Sequence, residues 1–292
     1  MFDVIDFILN VAGLLLWLNW RSVRLDPFTR ATPATLAGTV RRAEPMRIKR
    51  WHFLAALAGL LFIRAYFYEH IGPAVNWTPK LDLTVVTPAF PLILRGHVFF
   101  LSALIFSVLS FVRVLVVFYF WLLAIAVLNR RETNPDPLQK LLLLQLGRPA
   151  RWPWFVQLLL PVFVIALLWM LTHPLLVYIG VTTPVRSNAL LLAQGALVSL
   201  FVYLSLKWLL LAFLIVNLIV TYVYLGPNPV WEFVNTTSRN LLSPLNRGLS
   251  LRLGRIDLAP VIGVILVILL LHLLPNYLLR ELDRRNLTLW PQ

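Results

Sequence analysis

Apolar residues in this chain follow one another for twenty or thirty positions at a stretch, and short polar segments rich in Arg separate the runs. Runs of that length predict membrane-crossing helices, each of which needs about 20 residues. Six spans satisfy the pattern, at residues 4–20, 51–68, 98–128, 153–179, 189–224 and 258–278. The third and fifth exceed one crossing but cannot hold two crossings and a turn, so their surplus is expected to tilt, protrude or lie in the interface.

Three times an apolar run ends in an acidic or amide residue followed by Pro: Asp26-Pro27, Asp136-Pro137 and Asn228-Pro229. Such a pair suits a helix start, because the side-chain oxygen accepts from free N–H groups and Pro fits the first helical position. A basic stretch and a second apolar run follow each pair. The predicted fold class is therefore an all-α membrane protein, with six transmembrane helices as three repeated two-helix hairpins, each carrying a short cytoplasmic interfacial helix.

The segments after Asp136 and Asn228 mix Leu, Val, Trp and Phe with Gln, Asn, Ser and Lys or Arg, which fits a helix in the headgroup layer. Residues 29–40 are a poorer match, and an ordinary capped loop helix without lipid contact is the alternative at all three places. The expected divisions are 1–68 for the first hairpin, 69–97 for an outward loop with little regular structure, 98–179 and 180–278 for the second and third hairpins, and 279–292 for an outward tail.

Composition agrees with the pattern: the 292 residues are 60% hydrophobic and 13% charged, with a mean hydropathy of +0.81. The net charge of +14 raises nucleic acid as a partner, and the placement of the charges argues against it. Of the 26 Lys and Arg, eight fall in residues 21–50, five in 129–151 and four in 225–257. Those are the first, third and fifth connections, so they are expected to face the cytoplasm with both termini outward. Asp3 and Asp6 stand where a secretion signal would be basic, and the first run is read as a retained span. With no Cys, disulfides, thiolate metal sites and Cys nucleophiles are excluded.

The last repeat carries three short matches: Leu225-Gly226-Pro227-Asn228-Pro229, then Ser243-Pro244-Leu245-Asn246-Arg247, then Gly254-Arg255-Ile256-Asp257-Leu258-Ala259-Pro260. Together they resemble the YggT (YlmG) family of small membrane proteins over about residues 207–275. In that family's pattern Asn217 is usually Arg, Arg255 is Gly and Ala259 is Ser, and two hairpins replace the three here. The resemblance implies a multi-pass protein of the bacterial cytoplasmic membrane, linked to membrane organisation, osmotic or ion stress, or cofactor assembly. No reaction comes with it.

Among residues able to carry chemistry, Asp257 is read as the N-cap of the last span, with Pro260 in its first turn; a proton or cation relay is the sharper alternative, although no other carboxylate is read as lying inside a span. Arg64, Arg113 and Lys207 lie within apolar runs as candidate lipid or anion contacts. Snorkelling to the headgroups is the expectation for all three, with Glu69 as a partner for Arg64, and a cation ring lining an anion path is the alternative. The five His have no metal-ligand spacing, and His52, His97 and His173 are read as interface residues. Pro161 predicts a kink.

No catalytic, cofactor-binding or metal-binding residue emerges, and no cofactor is expected. The expected partners are the lipid bilayer, anionic lipid headgroups, and another membrane protein or a second copy; nucleic acid is not expected. A non-enzymatic scaffold or assembly factor fits these features best, with a small ion or solute transporter or channel as the alternative.

Overall fold

A computed structural model describes residues 2–22, 50–75, 80–82, 91–93, 100–130, 132, 136–180, 182–185, 187–223, 226, 228–248, 252–253 and 256–284. These are helical apart from short turns and two small ribbons. Helices α1 (Phe2–Ser22), α2 (Arg50–His70), α3 (Phe100–Leu128) and α5 (Trp154–Tyr178) each supply one long apolar segment. A fifth apolar segment is α6 (Asn188–Leu204) followed by α7 (Leu206–Tyr222). The sixth runs from α9 (Ala259–Ile268) through a π-helical stretch, Leu269–Leu273, into α10 (Leu274–Arg284). Six segments are thus long and apolar enough to cross a bilayer, which makes this a multi-pass membrane protein.

The overlong fifth run is interrupted at Ser205, whose backbone N–H is shared between the carbonyls of Phe201 and Val202. Two shorter helices, α4 (Pro137–Leu146) and α8 (Pro229–Gly248), follow two of the Asx-Pro junctions. Pro opens both. Asn228 Oδ1 accepts from Val230 N–H at 2.9 Å, as its capping role requires. Asp136 occupies the N-cap of α4 but makes no side-chain capping bond. Asp26 and Pro27 lie outside the described residues.

Two expectations need correction. The loop at 69–97 has some order: a 3-10 turn at Pro73–Val75 and an antiparallel ribbon of β1 (Lys80–Asp82) with β2 (Pro91–Ile93). Asp257 does not sit at the N-cap of the last span. It lies in β4 (Ile256–Asp257), paired with β3 (Arg252–Leu253), and Leu258 takes the N-cap position with no side-chain bond. Pairing the chain as a ribbon up to Asp257 delays the helix start by one residue. Gly254 falls outside the described residues, Arg247 lies in the last turn of α8, and Pro260 is buried in the first turn of α9.

The chain divides into two compact units. One comprises residues 1–79 and 96–115, the other 80–95 and 116–292. In the first, α1 packs along α2. In the second, α5 packs most closely along α6, and α7 along α8 and α9.

Helix α5 shows how these elements are solvated. Phe155, Leu159, Phe163, Leu167 and Leu171 recur every fourth position and are exposed, Phe163 by 70%. Gln157, Pro161, Ile165, Trp169 and His173 recur at the same interval and are buried. A helix that turns Phe and Leu outward and Gln and His inward is stable only where its surroundings are apolar. His173 is accordingly inside, against Trp169, and not at the interface; His52 is exposed.

Candidate functional site

Three polar clusters interrupt the apolar packing, and each is assembled by helical spacing. In the first unit, Asp6, Asn10 and Gly13 share one face of α1, while Arg64 and Tyr68 are one turn apart on α2. Ser107 and Ser110 come from α3. Gly13 allows close approach, because a Cβ there would lie 3.1 Å from the Phe111 ring.

Arg64 is 2% exposed. Its Nε donates to Tyr68 Oη at 2.7 Å and its Nη1 to Asn10 Oδ1 at 2.8 Å. Its Nη2 donates to both Asp6 Oδ1 and Ser110 Oγ at 3.1 Å. Four acceptors thus surround a guanidinium, and the Tyr68 hydroxyl in turn donates to Asp6 Oδ1 at 2.6 Å. An isolated charge at this depth is costly, and a paired, fully hydrogen-bonded one is tolerated.

The expectation that Arg64 snorkels, or pairs with Glu69, is therefore wrong. Its partner is Asp6, a carboxylate inside the first span, and Glu69 lies beside His70. Asp6 also contradicts the reading that no other span holds a carboxylate. The signal was present in the sequence: Asp6, Asn10 and Gly13 repeat at one turn per step, and only an interior face needs such residues in an apolar helix.

In the second unit Lys207 is 4% exposed and likewise does not snorkel. Its Nζ lies 3.3 Å from His272 Nδ1 and over the Trp208 ring. The ammonium form of Lys207 can only donate, and with that form His272 Nδ1 is the acceptor. Asn276 Nδ2 approaches the same nitrogen at 3.5 Å, and its Oδ1 is buried without a hydrogen-bond partner. His272 lies within the π-helical stretch, a geometry that often marks functional positions. Arg113 is half-buried in α3.

The third cluster ties α4 and α8 to the ends of the spans. Asn129, just after α3, donates through Nδ2 to Thr237 Oγ1 at 2.8 Å, and its carbonyl accepts from Gln139 Nε2 at 3.0 Å. Asn240 Nδ2 donates to Asn129 Oδ1 at 3.1 Å and to Glu132 Oε1 at 3.2 Å. Ser238 Oγ donates to the Phe213 carbonyl of α7 at 3.0 Å. Asn129, Gln139, Thr237 and Ser238 are all buried. The Asn129 side chain is the hub of this network.

Among the described residues no group of three His, Asp or Glu is placed to hold a metal ion. Predicted residues are thus drawn together pairwise with partners the sequence reading left unnamed. No family model, no curated protein and no solved structure matches this chain.

Proposed function

We propose that the chain is a non-enzymatic scaffold or assembly factor of the YggT type, resident in a bacterial cytoplasmic membrane. In this reading it is a triplicated two-helix hairpin whose three basic connections face the cytoplasm and whose termini face outward. Helices α4 and α8 lie in the inner headgroup layer and present their polar faces to partners.

One observation supports the reading above the others: the buried charge in the first unit is closed by its own neighbours. Arg64 spends four N–H bonds on Asp6, Asn10, Ser110 and Tyr68, an arrangement suited to fixing three helices together. The third cluster does the same for α8. A scaffold needs rigid spans and a firmly held polar surface, and these networks supply both.

In-membrane crosslinking followed by mild-detergent capture tests the proposal. The expected result is a stoichiometric membrane-protein partner or a second copy. A monodisperse single chain, with no crosslinked species from any membrane extract, would overturn it.

A second reading, a small ion or solute transporter, is favoured by the fifth segment. It is interrupted at Ser205, two residues before buried Lys207, and faces His272 in the π-helical stretch. Broken helices beside polar groups at membrane depth are a transporter feature. Flux in proteoliposomes that Lys207→Met abolishes would promote this reading over the scaffold.

A further inference from the structure

A groove of about 850 Å³ opens in the second unit, lined by the end of α3, the start of α5 and residues 240–244 of α8. Val127, Leu128 and Trp154 give it an apolar wall, and Arg130, Asn240 and Ser243 a polar one. Arg130 is exposed, and Arg148 and Arg151 stand exposed just before α5. The last turn of one span and the first Trp of the next put this groove at the level where hydrocarbon gives way to headgroups. We propose that it holds one anionic phospholipid with a hydroxylated headgroup, of the phosphatidylglycerol kind.

The donors and acceptors select that class. Both hydrogens of Asn240 Nδ2 are directed at Asn129 Oδ1 and Glu132 Oε1. Because the Glu132 carboxylate only accepts, the amide orientation is fixed, and Asn240 has only its Oδ1 left to offer a ligand. The remaining donors at the polar wall are the Arg130 guanidinium and the Ser243 hydroxyl. A phosphodiester satisfies those two, and a headgroup hydroxyl satisfies Asn240 Oδ1. Glu132 stands one hydrogen bond behind Asn240 and disfavours a second negative charge, which selects the monoanionic diester over the phosphomonoester of phosphatidic acid. The acyl chains continue along Val127, Leu128 and Trp154 into the bilayer.

The inference rests on the membrane reading of the chain and not on the scaffold role, since lipid retention and partner capture are separate measurements. The experiment is native mass spectrometry of the full chain, titrated with phosphatidylglycerol, phosphatidylcholine or phosphatidic acid. Both lipids offer a phosphodiester to Arg130, but only the glycerol headgroup has a hydroxyl for Asn240 Oδ1, so phosphatidylglycerol should be retained about fivefold more tightly than phosphatidylcholine, as expected for one neutral hydrogen bond. Arg130→Gln should weaken retention of both lipids about tenfold by removing the charge-assisted contact to the phosphodiester, while Arg148→Gln, outside the groove, should leave retention unchanged. Equal retention of phosphatidylglycerol and phosphatidylcholine, tighter retention of phosphatidic acid, or an Arg130→Gln protein that binds as the parent does would each overturn the proposal. If Arg130→Gln does not fold, the order of the three lipids on the parent chain decides.

Discussion

Replacing Asp6 by Ala should destabilise the first unit more than replacing Asp6 and Arg64 together. Asp6 Oδ1 accepts two hydrogen bonds, from Arg64 Nη2 and Tyr68 Oη, each worth about 0.6 kcal/mol in a membrane. Its removal also strands the Arg64 charge, at about 2.5–3.5 kcal/mol on insertion scales. The single change should therefore cost about 4 kcal/mol. In the double variant, Asp6→Ala with Arg64→Met, no charge is left at depth. What remains is the loss of the bonds that Arg64 and Asp6 made to Asn10, Ser110 and Tyr68, about 1–2 kcal/mol in all. The two changes thus offset each other by about 2–3 kcal/mol, the non-additivity expected of a buried ion pair. Reversible unfolding in mixed micelles, followed by tryptophan fluorescence across a denaturing-detergent titration, reads these two variants and Arg64→Met alone. Single changes that each cost under about 1 kcal/mol and simply add in the double would refute the pairing argument.

Three further changes probe the other packing arguments by the same unfolding assay. Gly195 lets α5 and α6 approach, since a Cβ there would lie 3.2 Å from the Ala166 Cα; Gly195→Val should cost about 1–3 kcal/mol. Asn129→Leu removes the hub of the third cluster and takes away the partners of Thr237 Oγ1 and of one Asn240 N–H, so a loss of about 1–3 kcal/mol is expected, and a neutral result would show that the network does not fasten α8. Asn228→Ala should cost about 1 kcal/mol through its lost cap, whereas Asp136→Ala, which loses no capping bond, should stay within about 0.5 kcal/mol of the parent.

Long apolar runs made the six segments legible, because a bilayer crossing sets a length that no soluble element imposes. Asn228-Pro229 and Asp136-Pro137 likewise located the starts of α8 and α4, since Pro at the first helical position and, at Asn228, a capping bond are local effects. Partners were harder to read. Arg64 meets Asp6 from 58 positions away and Lys207 meets His272 from 65, and nothing local records such pairings. The direction in which those charges point is equally non-local: snorkelling is the default of an isolated helix, and a neighbour offering acceptors reverses it. The one-residue error at Asp257 came from a short ribbon, whose pairing competes with the helix for the same backbone groups. The four-residue recurrence of Gln157, Pro161, Ile165, Trp169 and His173 marks the interior face of α5 as plainly as an apolar stripe marks a soluble helix.

The central claim is that the Arg-rich connections share one side of the membrane, and labelling tests it most directly. The chain has no Cys, so single Cys residues can be introduced without background. Glu44→Cys, Lys140→Cys and Arg239→Cys probe the three connections, and Val86→Cys and Thr183→Cys probe the intervening ones. In intact cells an impermeant maleimide should react at positions 86 and 183 and reach 44, 140 and 239 only after lysis. Reaction of 44, 140 and 239 on opposite sides of the membrane would contradict the account.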